Sequence, residues 1–128
     1  MPGRGGSTAL AREPEITSST DGGVAVCTLA GWLDLASAPS IQRLLLRRIA
    51  EGPAAIVCDL SRVTAIDPVC AGLFGVLRHP SLGASGTRLL LCGARPSVRR
   101  VLMAGPAPAM RLVADLPTAL ALARAGRT

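Results

Sequence analysis

The sequence contains no tyrosine and no lysine, and Trp32 and Phe74 are its only aromatic residues. Proteins that read exposed bases or bind single-stranded nucleic acids stack those bases on aromatic side chains. A chain with so few aromatic rings offers almost no such platform, so we expect no nucleic-acid partner. The hydrophobic core must be built mainly from leucine, valine, isoleucine and alanine, and Met103 is expected to lie in it.

Because lysine is absent, arginine supplies all 14 basic residues, and the formal net charge is +6. A clustered basic patch would bind polyphosphates through counterion release. These arginines are instead scattered from Arg4 to Arg127, and only two pairs are adjacent in sequence. We therefore interpret them as part of solvated helix faces.

Metal-binding and targeting patterns are also missing. Histidine occurs once, and the cysteines lie far apart with no C-x-x-C spacing, which zinc sites commonly use, so we expect no metal and no cofactor. No apolar stretch is long enough to cross a membrane, and no apolar region follows the charged N-terminal residues as it would in a secretory signal, so we expect no membrane partner. Free buried thiols are typical of a reducing cytoplasm, where we expect the protein to act. The four cysteines are Cys27, Cys58, Cys70 and Cys92.

Hydrophobic patterning predicts one domain over residues 15–128, preceded by a flexible leader over residues 1–14 that is rich in glycine and arginine. Strands that alternate with helices predict an α/β fold with a mostly parallel sheet of four to five strands, an N-terminal β-hairpin and about four helices. The predicted strands are residues 15–18, 24–33, 54–60, 87–92 and 110–114; the predicted helices are residues 36–51, 67–78, 96–103 and 116–125; residues 61–66 and 83–86 are predicted connections.

Two aspartates stand where a predicted strand gives way to a helix. Asp67 followed by Pro68 is typical of a helix start, because the carboxylate accepts bonds from free amides and the fixed φ of proline suits the first turn. Asp34 precedes the first predicted helix in a similar way. Both would lie at strand ends, where α/β folds usually carry function. Each is therefore a candidate for capping alone or for a partner-facing site.

Several short segments carry a resemblance to a known domain family. The segment Gly31-Trp32-Leu33-Asp34-Leu35 resembles the G-x-L-D-x segment of the STAS domain of anti-sigma-factor antagonists. Residues 59–67, Asp-Leu-Ser-Arg-Val-Thr-Ala-Ile-Asp, resemble its D-L-S-x-V-x-x-I-D segment, and residues 86–93 with 96–102 are similar to its third β-α unit. The resemblance extends from about Val24 to Ala123 and implies a STAS-like fold.

The resemblance implies a bacterial protein–protein interaction module in signalling and transcription regulation, which docks on an anti-sigma factor or a kinase-like signalling protein. In phospho-regulated members the aspartate is followed by Ser-Ser-Gly, and the second serine accepts phosphate. Val69 stands at that position here and has no hydroxyl, so the usual phosphorylation switch is expected to be absent. The docking surface implied for this chain comprises Asp34, Asp67, Pro68, Val69, Cys70 and Gly72.

Other interpretations stay open at this stage. Cys70 in the first turn of a helix is either a redox-active thiol or a small buried residue. A small-molecule or nucleotide sensor that uses the same strand ends is the alternative function, and a homo-oligomer is possible. The chain lacks a convergent set of acid, base and nucleophile, so we expect no enzymatic activity.

Overall fold

A computed structural model describes residues 15–76, 88–104 and 111–125. The predicted leader at residues 1–14, the predicted connection at residues 83–86 and the ends of the second helix and of the domain lie outside these described residues.

The described residues form an α/β fold around one five-stranded sheet with strand order β1-β2-β3-β4-β5. β1 pairs antiparallel with β2, and the other neighbouring strands are parallel. This architecture confirms the predicted fold class. The strands are β1 (Glu15–Asp21), β2 (Val24–Leu33), β3 (Ala55–Ile66), β4 (Arg88–Cys92) and β5 (Arg111–Val113); a 3-10 turn (Leu35–Ser37) precedes the helices α1 (Ala38–Ala50), α2 (Pro68–Val76), α3 (Pro96–Ala104) and α4 (Leu116–Ala125).

The hairpin that opens the fold turns on two glycines. Gly22 and Gly23 have φ angles of 59° and 83° between the paired residues Asp21 and Val24. A two-residue loop whose residues both have positive φ matches the twist of antiparallel strands, and glycine adopts that conformation without a steric penalty. The hairpin predicted from sequence is therefore present, with β1 longer than expected.

The largest difference from the sequence prediction is the length of β3. Residues 61–66 were predicted as a connection, yet β3 continues through them and pairs with Ala30–Leu33 of β2. Two register shifts between β2 and β3 accommodate the extra residues of β3, so exposed and buried side chains do not alternate there. Because that alternation is the sequence signal for a half-buried strand, its loss concealed the end of β3.

Apolar side chains form a core on each face of the sheet. The larger core lies under α1, α2 and α3 and includes the fully buried residues Ile41, Phe74 and Leu102. The smaller core lies under α4, where Ala119 and Ala123 cluster with residues at the amino-terminal ends of β2 and β3 and with Leu90 and Cys92 of β4. Met103, which was expected in the core, is 62% exposed near the end of α3. Its helix buries Val98 and Leu102 instead, and Met103 follows them on the solvent side.

Candidate functional site

Asp34 and Asp67 lie at the same edge of the sheet because the strands that precede them are neighbours. Leu33 at the end of β2 pairs with Ile66 at the end of β3. The backbone amide of Asp67 then donates a hydrogen bond of 2.8 Å to the carbonyl oxygen of Leu33. Two segments that are far apart in sequence therefore start their helical turns side by side.

The carboxylate of Asp34 caps the 3-10 turn. Its Oδ1 accepts hydrogen bonds from the Ser37 hydroxyl at 2.6 Å and from the Ser37 amide at 3.0 Å. The Ser37 hydroxyl also accepts a longer bond, 3.4 Å, from the Asp34 amide, which completes a reciprocal capping box. The hydroxyl of Ser37, assisted by its amide, lowers the pKa of Asp34 below its usual value. Asp34 is therefore a fixed, ionised carboxylate at neutral pH.

Asp67 caps α2 in a comparable way. Its Oδ1 accepts a 2.9 Å bond from the amide of Val69, and its carbonyl oxygen accepts a 3.0 Å bond from the amide of Ala71. Pro68 occupies the first helical position, where no amide hydrogen is required. The capping interpretation of both aspartates is thus visible in the structure, and it leaves their remaining carboxylate oxygens near the surface.

Large apolar side chains are exposed around the two caps. Val69 is 57% exposed at the start of α2, and Leu35 is 61% exposed in the 3-10 turn. Trp32, at the end of β2, is 53% exposed. These are three of the five large hydrophobic residues that are exposed in the described part of the chain. Their concentration at one edge distinguishes this edge from the rest of the surface.

The sequence analysis placed Val69 in the implied docking surface, and the structure shows its side chain exposed there. No surface role was predicted from sequence for Trp32 or Leu35. Strand alternation puts Trp32 on the α4 side of the sheet, which also buries Val24. Trp32 is exposed because the core under α4 covers only the amino-terminal part of β2. How far that core extends along β2 cannot be predicted from the sequence. For Leu35, the sequence did offer one signal of exposure, which is its position directly after the capping residue Asp34.

Cys70 differs from the other predicted surface residues because its side chain is fully buried. Its Sγ donates a hydrogen bond of 2.8 Å to the carbonyl oxygen of Asp34. Burial raises the pKa of Cys70 to about 11, and the charges of Asp67 and Asp34 act in the same direction. The thiol therefore stays protonated at neutral pH. The structure removes Cys70 from the exposed surface and favours the buried interpretation over the redox switch.

The remaining predicted residues lie on an open surface. Pro68 is exposed, and Gly72 is half-buried with no atom within 4 Å of where a Cβ would stand. Residues 31–42 and 63–76 contain no arginine, so neither segment places a cation of its own beside the two aspartates. We call this surface the aspartate rim; it comprises Asp34, Leu35, Asp67, Pro68, Val69 and Gly72.

The described residues contain neither a metal-binding cluster nor a membrane-spanning helix. No group of three or more histidine, cysteine, aspartate or glutamate residues in the described ranges could hold a metal ion. No helix among them is long and apolar enough to span a membrane.

Comparisons with known proteins agree with the predicted fold. The profile of the STAS domain matches residues 15–112, whereas no curated protein matches the chain by sequence. An anti-sigma factor antagonist from Mycobacterium paratuberculosis has a similar structure, with a TM-score of 0.76, 24% identity, and coverage of 87% of this chain and 94% of that chain.

Two further solved structures share the fold. The anti-sigma factor antagonist SpoIIAA in its unphosphorylated form has a TM-score of 0.64 and 22% identity over 89% of this chain and 100% of that chain. RsbS from Moorella thermoacetica has a TM-score of 0.71 and 20% identity over 89% of this chain and 99% of that chain. At these identities, the similarity demonstrates the fold.

Proposed function

The chain belongs to the STAS domain family, and we propose that it acts by docking to another protein through the aspartate rim, without catalysing a reaction. The partner we propose is an anti-sigma factor or a kinase-like signalling protein in bacterial partner-switching regulation of transcription. The observation that carries the proposal is the exposure of Val69 and Leu35 beside two fixed carboxylates.

The apolar part of the rim supports docking because exposed hydrophobic side chains that cluster at one edge mark interaction sites. Val69 and Leu35 come from segments that the Leu33–Ile66 pair brings together. Both side chains are more than half exposed, so a partner would remove most of their surface from water. Complete burial of a side chain of this size contributes on the order of 1.5–3 kcal/mol.

The charge of the rim indicates what the partner must present. Asp34 and Asp67 keep fixed positions through their bonds to Ser37 and Val69, and the two rim segments contain no arginine to neutralise them. Complementary charges across an interface guide encounter and orientation. The partner face that fits is therefore apolar at its centre and carries lysine or arginine at its edge.

The structural relatives support the class of partner. Two of the three similar structures are described as anti-sigma factor antagonists. The name describes proteins that oppose an anti-sigma factor, which is a protein partner. We carry this role over to the present chain as part of the proposal.

Regulation of docking is proposed to differ from that of phospho-regulated family members. A phosphoryl group at a helix start adds about −1.5 to −2 charges and can repel a partner. Val69 occupies the second position of α2, and its amide bonds to Asp67, but its side chain has no acceptor for phosphate. Docking is therefore not controlled by phosphorylation at position 69.

The polar groups of the rim also support binding rather than catalysis. Both carboxylates accept hydrogen bonds that cap helical turns. The neighbouring thiol of Cys70 is buried and protonated at neutral pH. None of these groups is an activated base or nucleophile.

Co-purification with quantitative mass spectrometry tests the proposal on three tagged forms of the full chain: wild type, Val69→Asp and Met103→Asp. Met103 is the matched control because it is also an exposed apolar residue, and α3 carries it away from the rim toward the amino ends of the parallel strands. We expect one protein to be captured by wild type and by Met103→Asp, and at least tenfold less by Val69→Asp. Equal capture by all three forms, or no captured protein, contradicts the proposal.

A further inference from the structure

The aspartate rim is assembled from two segments that two hydrogen bonds join beyond the pairing of β2 with β3. One bond is the backbone contact from the Asp67 amide to the Leu33 carbonyl oxygen. The other is the bond from the Cys70 thiol to the carbonyl oxygen of Asp34, across 36 positions of sequence. The backbone contact survives any side-chain substitution, so the thiol is the connection that a substitution can remove.

We propose that Cys70 is a positioning residue whose thiol, by donating to the Asp34 carbonyl oxygen, holds the 3-10 turn against the start of α2. The two halves of the aspartate rim, with Leu35 on one and Val69 on the other, then form one surface of fixed shape. The importance of that shape for docking rests on the proposed function. The hydrogen bond and its effect on local order are independent of the proposed function.

The Asp34 carbonyl oxygen is the point where the two segments meet. It accepts the Ser37 amide at 3.0 Å, which closes the 3-10 turn, and the Cys70 thiol at 2.8 Å. A carbonyl oxygen has two lone pairs and can accept both bonds. The same turn is closed a second time by the Asp34 carboxylate and Ser37. Loss of the thiol bond should therefore first change the hydrogen bonding of the Ser37 amide, which shares the same acceptor.

The surroundings of Cys70 favour a directed bond over simple filling of space. Its side chain is fully buried in the core under α1, α2 and α3, where Leu33 and Phe74 belong to the same cluster. Without this bond the buried thiol would lack a hydrogen-bond partner, which is unfavourable, and the Asp34 carbonyl oxygen would keep only the bond from the Ser37 amide. The thiol can serve as donor because it keeps its proton at neutral pH, since burial raises its pKa to about 11.

Three substitutions of Cys70 separate the effect of its hydrogen-bond donor from the effect of its side-chain volume. Cys70→Ser keeps a donor in a slightly smaller side chain, whereas Cys70→Val has no donor and adds one heavy atom to the side chain. Cys70→Ala lacks both the donor and the volume of the thiol and serves as the second donor-free form if valine disturbs the core. Amide hydrogen exchange, measured by NMR on the full chain, reports the order of the turn through Ser37. Leu45 in α1 and Leu91 in β4, both fully buried, report the rest of the fold.

We expect the Ser37 amide to exchange roughly two- to tenfold faster in Cys70→Val and Cys70→Ala than in wild type, the range of one hydrogen bond. In Cys70→Ser it should stay within about twofold of wild type, because the donor is restored. Exchange at Leu45 and Leu91 should change least. The inference is overturned if Cys70→Ser and Cys70→Val behave alike at Ser37, or if neither donor-free variant differs from wild type.

The S–H stretching band in the infrared gives a second readout. Its frequency reports hydrogen bonding by the Cys70 thiol and would not be lowered if Cys70 served only to pack the core. The other three cysteines are present in both wild type and Cys70→Val, so the difference between the two spectra isolates the Cys70 band. We expect this band at the lowered frequency of a hydrogen-bonded thiol. A difference band at the frequency of a free thiol contradicts the assignment of Cys70 as donor.

The outcomes also separate this inference from the proposed function. If Val69→Asp loses the captured protein while Cys70→Val leaves Ser37 exchange unchanged, only the positioning role of Cys70 fails. If Ser37 exchange responds as expected while Val69→Asp captures the protein normally, Cys70 orders the turn but the rim is not the docking surface.

Discussion

Leu33 and Ile66 pair across two parallel strands, and each is followed directly by an aspartate that caps the next helical turn. This relationship brings Asp34 and Asp67 to one edge of the sheet. It exists because β3 runs beyond the end of β4, whose pairing with β3 stops at Asp59 and Cys92. The aspartate rim is therefore a consequence of the length of β3.

Gly72 in the aspartate rim and Gly93 directly after β4 should respond in opposite ways to substitution by alanine. Gly72 lies within α2, and no atom lies within 4 Å of the place where a Cβ would stand, so Gly72→Ala should raise the free energy of unfolding by about 0.5–1 kcal/mol. Gly93 has a φ of 75°, and a Cβ there would stand 3.0 Å from Ser61 Cβ and 3.2 Å from Asp59 Oδ1. Gly93→Ala should lower the free energy of unfolding by about 1–3 kcal/mol.

Denaturant unfolding of both variants measures this difference. Equal effects of the two substitutions would show that the backbone of Gly93 relaxes. Gly72→Ala should also weaken partner capture because its methyl group projects into the rim. A gain in stability with a loss of docking would separate the surface role from the structural one.

The removal of one rim charge should alter association with the captured protein. In Asp67→Asn the amide oxygen can still accept the bond from the Val69 amide, so the cap is retained while the charge is lost. We expect a several-fold slower association rate and a weaker dependence of that rate on salt concentration. Asp115→Asn is the matched control, since Asp115 caps α4 through the Thr118 amide, two strands away from β3. Stopped-flow or surface-based kinetics would contradict the charge argument if both variants had the same effect.

Alkaline pH should destabilise the protein through its buried thiols. Burial raises the pKa of Cys70 to about 11 and that of Cys92 to about 12, from an ordinary value of 9.0. A raised pKa favours the protonated, folded form, so this stabilisation is fully present below pH 9 and is lost as the pH rises toward 11–12. Denaturant unfolding at pH 8 and at pH 10.5 should show the loss. The loss should be smaller in Cys92→Val, and an unchanged pH dependence in that variant would contradict the burial argument.

Acidic pH should act through the Asp34 cap. The Ser37 hydroxyl lowers the pKa of Asp34 in the folded state below its usual 3.8. The resulting stabilisation is present above the unfolded pKa and is lost as the pH falls through the lower folded value. Unfolding free energies between pH 6 and pH 2.5 should therefore fall less steeply in Asp34→Asn than in wild type. An equally steep fall in the variant would show that Asp34 does not contribute to the acid transition.

The fold was predictable because its signals are local. Glycines at the hairpin, aspartates before helices and apolar runs for covered strands each have a direct physical cause, and the order of the elements then gave the parallel sheet. The end of β3 was missed because its register shifts remove the alternation of buried and exposed residues. Its pairing depends on β2, which is distant in sequence.

The rim was predictable only in part. Asp34 and Asp67 have local capping signatures, whereas the exposure of Trp32 beside the rim depends on how far the core under α4 extends along β2. The burial of Cys70 depends on the 3-10 turn, whose Asp34 carbonyl oxygen receives the thiol bond. Features decided by contacts between distant segments were therefore not available from the sequence pattern.

Site-specific photo-crosslinking in cells tests the central claim most directly. A photoreactive amino acid is introduced at Val69 or, in the control, at Met103, both of which are exposed. We predict that position 69 forms a covalent adduct with one cellular protein and that position 103 does not. Adduct formation at position 103 with the same protein, and none at position 69, would contradict docking through the aspartate rim.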